Sequence, residues 1–273
     1  MTSASPHVRE AGSGAGVVCL HANASSSSQW RSLMERLAPR CHVLAPDLYG
    51  AGKSPEWPSA ETISLSDEVA LIDPVLAAAG TPLTLIGHSY GAAVALLAAL
   101  AAPERLRALV LYEPTLFALV DAAEPRPNDT DGIQAAVDAA AGALDAGDPA
   151  GAAEHFIDYW MGAGSWRRTP EQRQGPIAAA VVNVRRWRHA LSGEATPLAA
   201  FRALTMPVLY LVGTRSTAAA HAVARVLVPT LPNVERVELD LGHMGPVTDP
   251  DVVNDAIVTF LERVGAFSPL ARS

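Results

Sequence analysis

The stretch that decides the fold is Leu83-Thr84-Leu85-Ile86-Gly87-His88-Ser89-Tyr90-Gly91-Ala92-Ala93-Val94-Ala95-Leu96-Leu97. An apolar, β-favouring run enters a Gly-X-Ser-X-Gly segment, and a run of Ala and Leu helix formers leaves it. This order predicts a strand that turns sharply into a helix, with Ser89 at the apex. Such a turn forces an uncommon backbone conformation on the serine. Gly87 and Gly91 leave room where strand and helix would otherwise collide, and Ala92 and Ala93 keep the first helical turn slim. The hydroxyl then stands at the head of a helix, where unpaired N–H groups and the helix dipole favour negative charge. These features suit a nucleophile and the oxyanion it creates; an ordinary tight turn is the alternative reading.

Working outward, strand-like runs at 16–20, 42–45, 83–88, 106–112, 207–213 and 234–239 alternate with helical patterns. That rhythm predicts an α/β fold, a mostly parallel twisted sheet with helices on both faces. A short edge strand is expected at 7–10, after a frayed start at 1–5. Between 114 and 203 the rhythm breaks: helices are expected at 132–146, 149–161, 169–180, 181–191 and 197–203, with Pro125 to Asp129 as a mobile connector. The expected organisation is a core domain of residues 1–113 and 204–273, with a helical cap of residues 114–203 inserted before the last two strands. Ligands of such sheets sit beyond the carboxyl ends of the strands. Asn23, Ser89, Glu113, Ser216 and His243 all fall just after predicted strands.

Of the 273 residues, 49% are hydrophobic and 18% charged, which marks a globular chain. The formal net charge of −8 argues against nucleic-acid or anionic-membrane partners. No apolar run reaches the ~20 residues of a membrane helix, and the first sixteen residues lack a leader layout, so a cytoplasmic location is expected. Cys19 and Cys41 lie in apolar strand patterns and read as buried free thiols. No metal or organic cofactor is implied, and a small-molecule substrate is expected; the residues do not speak to oligomeric state. Asp47 to Ser54 lacks the first glycine of a phosphate-binding loop, and Pro55 follows it.

A serine needs a base to take its proton and a third group to orient that base. His243, in the loop Leu241-Gly242-His243-Met244-Gly245-Pro246 after the last strand, is the best base. His88 lies inside the turn with its side chain directed away from that of Ser89, and His21 reads as packing beneath its loop.

With strand, Gly-X-Ser-X-Gly, helix, helical insertion and a late Gly-His loop in this order, the chain resembles the α/β-hydrolase superfamily from Gly16 to Ala266. His21-Ala22-Asn23-Ala24 and Asp47-Leu48-Tyr49-Gly50-Ala51-Gly52-Lys53-Ser54 are similar to two further family motifs. The resemblance implies a serine hydrolase whose acid lies between Ser89 and His243 in chain order. It also implies an oxyanion hole made by the backbone N–H groups of Tyr90 and Asn23. One departure stands out: Gly213-Thr214-Arg215-Ser216-Thr217 has Ser216 where the family places its aspartate. Glu113, at a position some relatives use, is then the preferred carboxylate; a plain hinge or salt-bridge role for it, and Asp240 as the acid, stay open.

Trp160, Tyr159 and Met244 are assigned to a substrate pocket, with packing of cap against core as the competing role for the aromatics. Arg185, Arg186 and Arg188 read as a solvated helix face, with carboxylate recognition behind it. The expected activity is cleavage of carboxylic esters or lactones of small to medium acyl groups through an acyl-enzyme on Ser89. A thioesterase, a carbon–carbon bond hydrolase and a non-catalytic ligand-binding protein on the same fold are the alternatives.

Overall fold

The structure, a computed structural model, describes residues 5–57 and 62–267. The frayed start expected at 1–5 lies, apart from Ser5, outside the described residues. Seven strands form one sheet in the order β1-β3-β2-β4-β5-β6-β7. They are β1 (Val8–Ala11), β2 (Ala15–Leu20), β3 (Cys41–Pro46), β4 (Leu83–His88), β5 (Leu106–Tyr112), β6 (Val208–Gly213) and β7 (Val234–Leu239). β1 runs antiparallel on the edge beside β3, and every other pairing is parallel.

Alternate side chains of each strand feed two separate cores, as a period of two requires. Val17 and Cys19 of β2, Val110 of β5 and Leu209 of β6 pack on one face against α1 (Arg31–Leu37) and the closing helix 250–263. Val18, Leu20, Leu109 and Tyr210 pack on the other, against α2 (Leu65–Ala78), α3 (Tyr90–Ala101) and the helix at 218–227. Cys19 and Cys41 are both buried and free.

Six α-helices lie between β5 and β6: α4 (Phe117–Ala123), α5 (Asp131–Asp145), α6 (Pro149–Met161), α7 (Ser165–Arg168), α8 (Glu171–Val181) and α9 (Val184–Ser192). The last expected helix of the segment, 197–203, is a 3₁₀ turn at Leu198–Ala203. α4 and α7 have no counterpart in the sequence-based expectation, because each is too short to show a period. The connector after α4 is tied down: Asp121 accepts from Arg126, Asn128 and Thr130. Phe117, Phe156, Trp160 and Trp187 of this segment belong to the same apolar cluster as α3. After β6 come α10 (Ala218–Leu227), α11 (Gly245–Thr248) and α12 (Pro250–Arg263).

Two local details set the edge where the candidate site lies. The helix expected after the serine run begins as a 3₁₀ turn, Ser27–Trp30, capped by Ser26, and only then becomes α1. The carboxylate of Asp47, at the end of β3, accepts the N–H groups of Ser27 at 2.6 Å and Lys53 at 2.9 Å. It thereby pins the loops after β2 and β3 to each other.

Candidate active site

The turn between β4 and α3 is strained where the sequence says it must be. Ser89 has φ 56° and ψ −117°. Glu113 (φ 46°) and Ala24 (φ 53°) share its positive φ, and these three are the only non-glycine residues with one among those described. All three lie at the carboxyl edge of the sheet. Each such residue costs about 1–3 kcal/mol and persists only where its surroundings hold it. A Cβ on Gly91 would stand 2.5 Å from the carbonyl oxygens of Leu20 and His21, so α3 sits directly on the end of β2. The Ser89 N–H donates to the Tyr112 carbonyl at 2.9 Å, which ties the turn to the last residue of β5.

Around Ser89 the structure brings together residues that are far apart in the chain. His243 Nε2 lies 2.9 Å from Ser89 Oγ, and its Nδ1 lies 2.6 Å from Glu113 Oε2. The other Glu113 oxygen accepts the Gly213 N–H at 2.6 Å. Ser89, Glu113 and His243 are all buried. Nδ1–H facing a carboxylate leaves Nε2 as the acceptor toward the serine hydroxyl. The histidine loop is held from below as well. His88 Nε2–H donates to the His243 carbonyl at 2.8 Å, and the Tyr112 hydroxyl donates to that of Gly242 at 2.8 Å. Burial, with the nearby His243 second, holds the His88 imidazole well below its usual range, so it acts as a neutral donor. On its open side the His243 ring is covered by Trp160, stacked at 3.9 Å between centroids and tilted by 22°.

The other expected residues fall as follows. Asp240 is turned outward, paired with Arg215 in an exposed ion pair at 3.2 Å, and makes no contact with His243. Ser216 Oγ is buried without a hydrogen-bond partner. Its loop contributes instead the Gly213 N–H that anchors Glu113. The N–H groups of Tyr90 and Asn23 donate to no acceptor among the described residues. His21 donates from Nδ1 to the Ala22 carbonyl at 2.7 Å and accepts the Leu48 N–H at 3.0 Å on Nε2, bracing the Asn23 loop from beneath.

A narrow cavity of about 40 Å³ opens over Ser89 and His243, roofed by Ile133, Val137, Phe156, Trp160, Trp187 and Leu191. Trp160 and Met244 line it. Tyr159 does not. One position further back on α6, it is rotated out of the lining and packs edge-on against Trp160 at 4.9 Å. Arg185, Arg186 and Arg188 are each engaged by a carboxylate, of Asp145, Glu56 and Asp138 respectively. Among the described residues no group of three His, Cys, Asp or Glu is arranged to hold a metal ion, and no helix is long and apolar enough to cross a membrane.

One residue beside the site was missed. Glu68 of α2 is buried; it accepts the Tyr49 N–H at 3.2 Å and the Tyr90 hydroxyl at 3.3 Å. Its signal was available: it interrupts the apolar stripe of Leu65, Ile72 and Val75 with a charge. Burial pushes its carboxyl up to about 8, against the weaker pull of the two hydrogen bonds. In the unfolded chain it ionises near 4.5. Between these values the folded state holds a proton that the unfolded state has lost, so stability falls as pH rises through this window. Thermal melts from pH 5 to pH 8 should show a steeper fall in Tm for the native chain than for Glu68→Gln. Parallel curves would contradict the assignment.

Comparison with known proteins agrees with this architecture. A family model described as the alpha/beta hydrolase fold matches residues 17–250. The chain is 34% identical over 164 residues to the lipase LipV of Mycobacterium tuberculosis, an alignment covering 55% of this chain and 61% of that protein. It is 28% identical over 263 residues to the 2-(acetamidomethylene)succinate hydrolase of Mesorhizobium japonicum, covering 94% and 91%. An alpha/beta hydrolase of Sphaerobacter thermophilus superposes with a TM-score of 0.73 at 26% identity, covering 93% and 95% of the two chains. The chain thus spans less than two thirds of the length of the lipase.

Proposed function

Since the chain belongs to the alpha/beta hydrolase fold family, we propose that it is a serine hydrolase that cleaves carboxylic esters of short acyl groups through an acyl-enzyme on Ser89. The observation that carries this reading is the unbroken succession of hydrogen bonds from Ser89 through His243 and Glu113 to the Gly213 N–H. His243 Nε2 takes the hydroxyl proton as Oγ attacks the carbonyl, and returns it to the departing alcohol. Glu113 holds the proton of Nδ1 in place and balances the imidazolium. The indole of Trp160 stacks on that ring and covers its face. The free N–H groups of Tyr90 and Asn23 receive the oxyanion. Water then attacks the acyl-enzyme by the same route.

Residues 114–203 act in this reading as a cap, since their side chains form the roof of the cavity. The bulky side chains of Phe156, Trp160, Trp187 and Leu191 close over that narrow cavity, which favours acetyl to butyryl chains. The test is a panel of 4-nitrophenyl esters from acetate to decanoate, with matched thioesters and a lactone. kcat/KM should be highest for the short oxygen esters and fall by at least tenfold at octanoate. A preference for thioesters, or no turnover of any ester, would overturn the reading.

A further inference from the structure

A second cavity of about 240 Å³ adjoins the first. Asn23, Phe156, Trp160 and Met244 line both, so Trp160 and Met244 form the wall between them. The first cavity holds Ser89 and His243 beneath a mostly apolar roof, whose one cation, Arg188, is paired with Asp138. The second is lined on its outer side by Arg168 and Arg173, and no carboxylate is among its lining residues.

These two arginines differ from five other arginines of residues 114–203. Arg126, Arg167, Arg185, Arg186 and Arg188 each meet an Asp or Glu. Arg168 meets only neutral oxygens, Ser165 Oγ at 3.0 Å and the Ala163 carbonyl at 3.5 Å. The Arg173 guanidinium has no hydrogen-bond or ion-pair partner among the described residues. The chain carries 28 acidic residues against 20 Lys and Arg, so acidic partners are plentiful, yet none faces this cavity. Two exposed guanidinium groups without a carboxylate partner, on the wall of a cavity that adjoins the one holding Ser89, make a receptor for a planar anion.

We propose that the second cavity receives the alcohol part of the substrate, and that Arg168 and Arg173 select esters whose alcohol carries a carboxylate. This rests on the serine-hydrolase reading: the acyl carbon bonded to Ser89 stays in the first cavity, and what lies beyond Trp160 and Met244 is the leaving group. The larger cavity accommodates a ring, and a charged alcohol released there faces solvent.

The test compares 4-acetoxybenzoate with its neutral isostere 4-acetoxybenzamide. The amide has the slightly better leaving group, so any chemical bias works against the expected result. At low ionic strength the native chain should hydrolyse the carboxylate with kcat/KM at least tenfold higher, chiefly through KM, and salt at 0.5 M should shrink the preference. Arg168→Gln and Arg173→Gln should each reduce it by roughly threefold to tenfold, and the double variant should abolish it. Circular dichroism and a thermal melt of each variant report that it folds. Binding of both esters to Ser89→Ala, followed by calorimetry, separates the two claims. A tighter Kd for the carboxylate, lost in the arginine variants, supports the subsite even where no ester is turned over. Equal kcat/KM for the two esters with Ser89-dependent turnover overturns the subsite and leaves the hydrolase reading standing. Equal Kd, or no measurable binding of either ester, also overturns the subsite.

Discussion

Ser89→Ala should lower kcat on 4-nitrophenyl acetate by roughly 10⁴-fold to 10⁶-fold, the range found when a member of such a triad is removed. The residue that remains supplies no lone pair, and its neighbours cannot substitute for it. His243 Nε2 faces the Ser89 hydroxyl, and its other nitrogen is committed to Glu113. The N–H groups of Tyr90 and Asn23 would still polarise a bound carbonyl, so a small rate above that of water should survive. Stability should change little. Alanine keeps the strained φ of 56°, and the one lost hydrogen bond is worth about 1 kcal/mol, a shift of roughly 2–4 °C in a chain of this size. Steady-state kinetics with a melt on the same sample make the check. Turnover within tenfold of the native chain would refute the nucleophile.

Glu113→Gln should cost roughly 10³-fold to 10⁴-fold in kcat with the fold intact. The Gly213 N–H decides how the amide sits. It points at one oxygen of Glu113 at 2.6 Å, so the glutamine oxygen must take that place and its NH₂ must face His243 Nδ1. That nitrogen then has to accept, its proton moves to Nε2, and an N–H points at Ser89 where a lone pair was needed. Glu113→Ala should do similar damage to kcat and also lower Tm, because it leaves the Gly213 N–H and His243 Nδ1 buried without partners. Near-native turnover of the glutamine variant would remove Glu113 from the mechanism.

That a carboxylate on Glu113 can serve with a serine at position 216 follows from strand adjacency. β5 and β6 are hydrogen-bonded neighbours, with Tyr112 opposite Leu211, so residues just past their ends stand side by side. Glu113, arriving from the end of β5, reaches the imidazole of His243. The sequence places Glu113 and Ser216 after their strands but does not say that those strands touch, which is why Asp240 stayed in contention. The fold turns it out to solvent beside Arg215.

Elsewhere, legibility tracked the strength of the local signal. Helix α6 falls at 149–161 as read, because Asp148 caps it, Pro149 occupies its first turn and Gly162 ends it. α4 and α7, with seven and four residues, carry no such period. The pocket lining shows the same limit. That α6 passes over Ser89 could be anticipated, but whether residue 159 or 160 faces the imidazole depends on a rotation of about 100° that no local pattern encodes. His88 and Glu68 were legible as misfits, polar residues within apolar runs. Their partners, the His243 carbonyl and the Tyr90 hydroxyl, come from distant parts of the chain.

The central claim is that Ser89 is a nucleophile activated through His243. The most direct measurement is the intact mass of the protein after brief exposure to a small alkyl fluorophosphonate, followed by peptide mapping. The account predicts one phosphonyl adduct, on Ser89, formed at a rate that falls at least a hundredfold in His243→Ala. Adduct on another residue, or labelling of Ser89 at an undiminished rate without the imidazole, would contradict it.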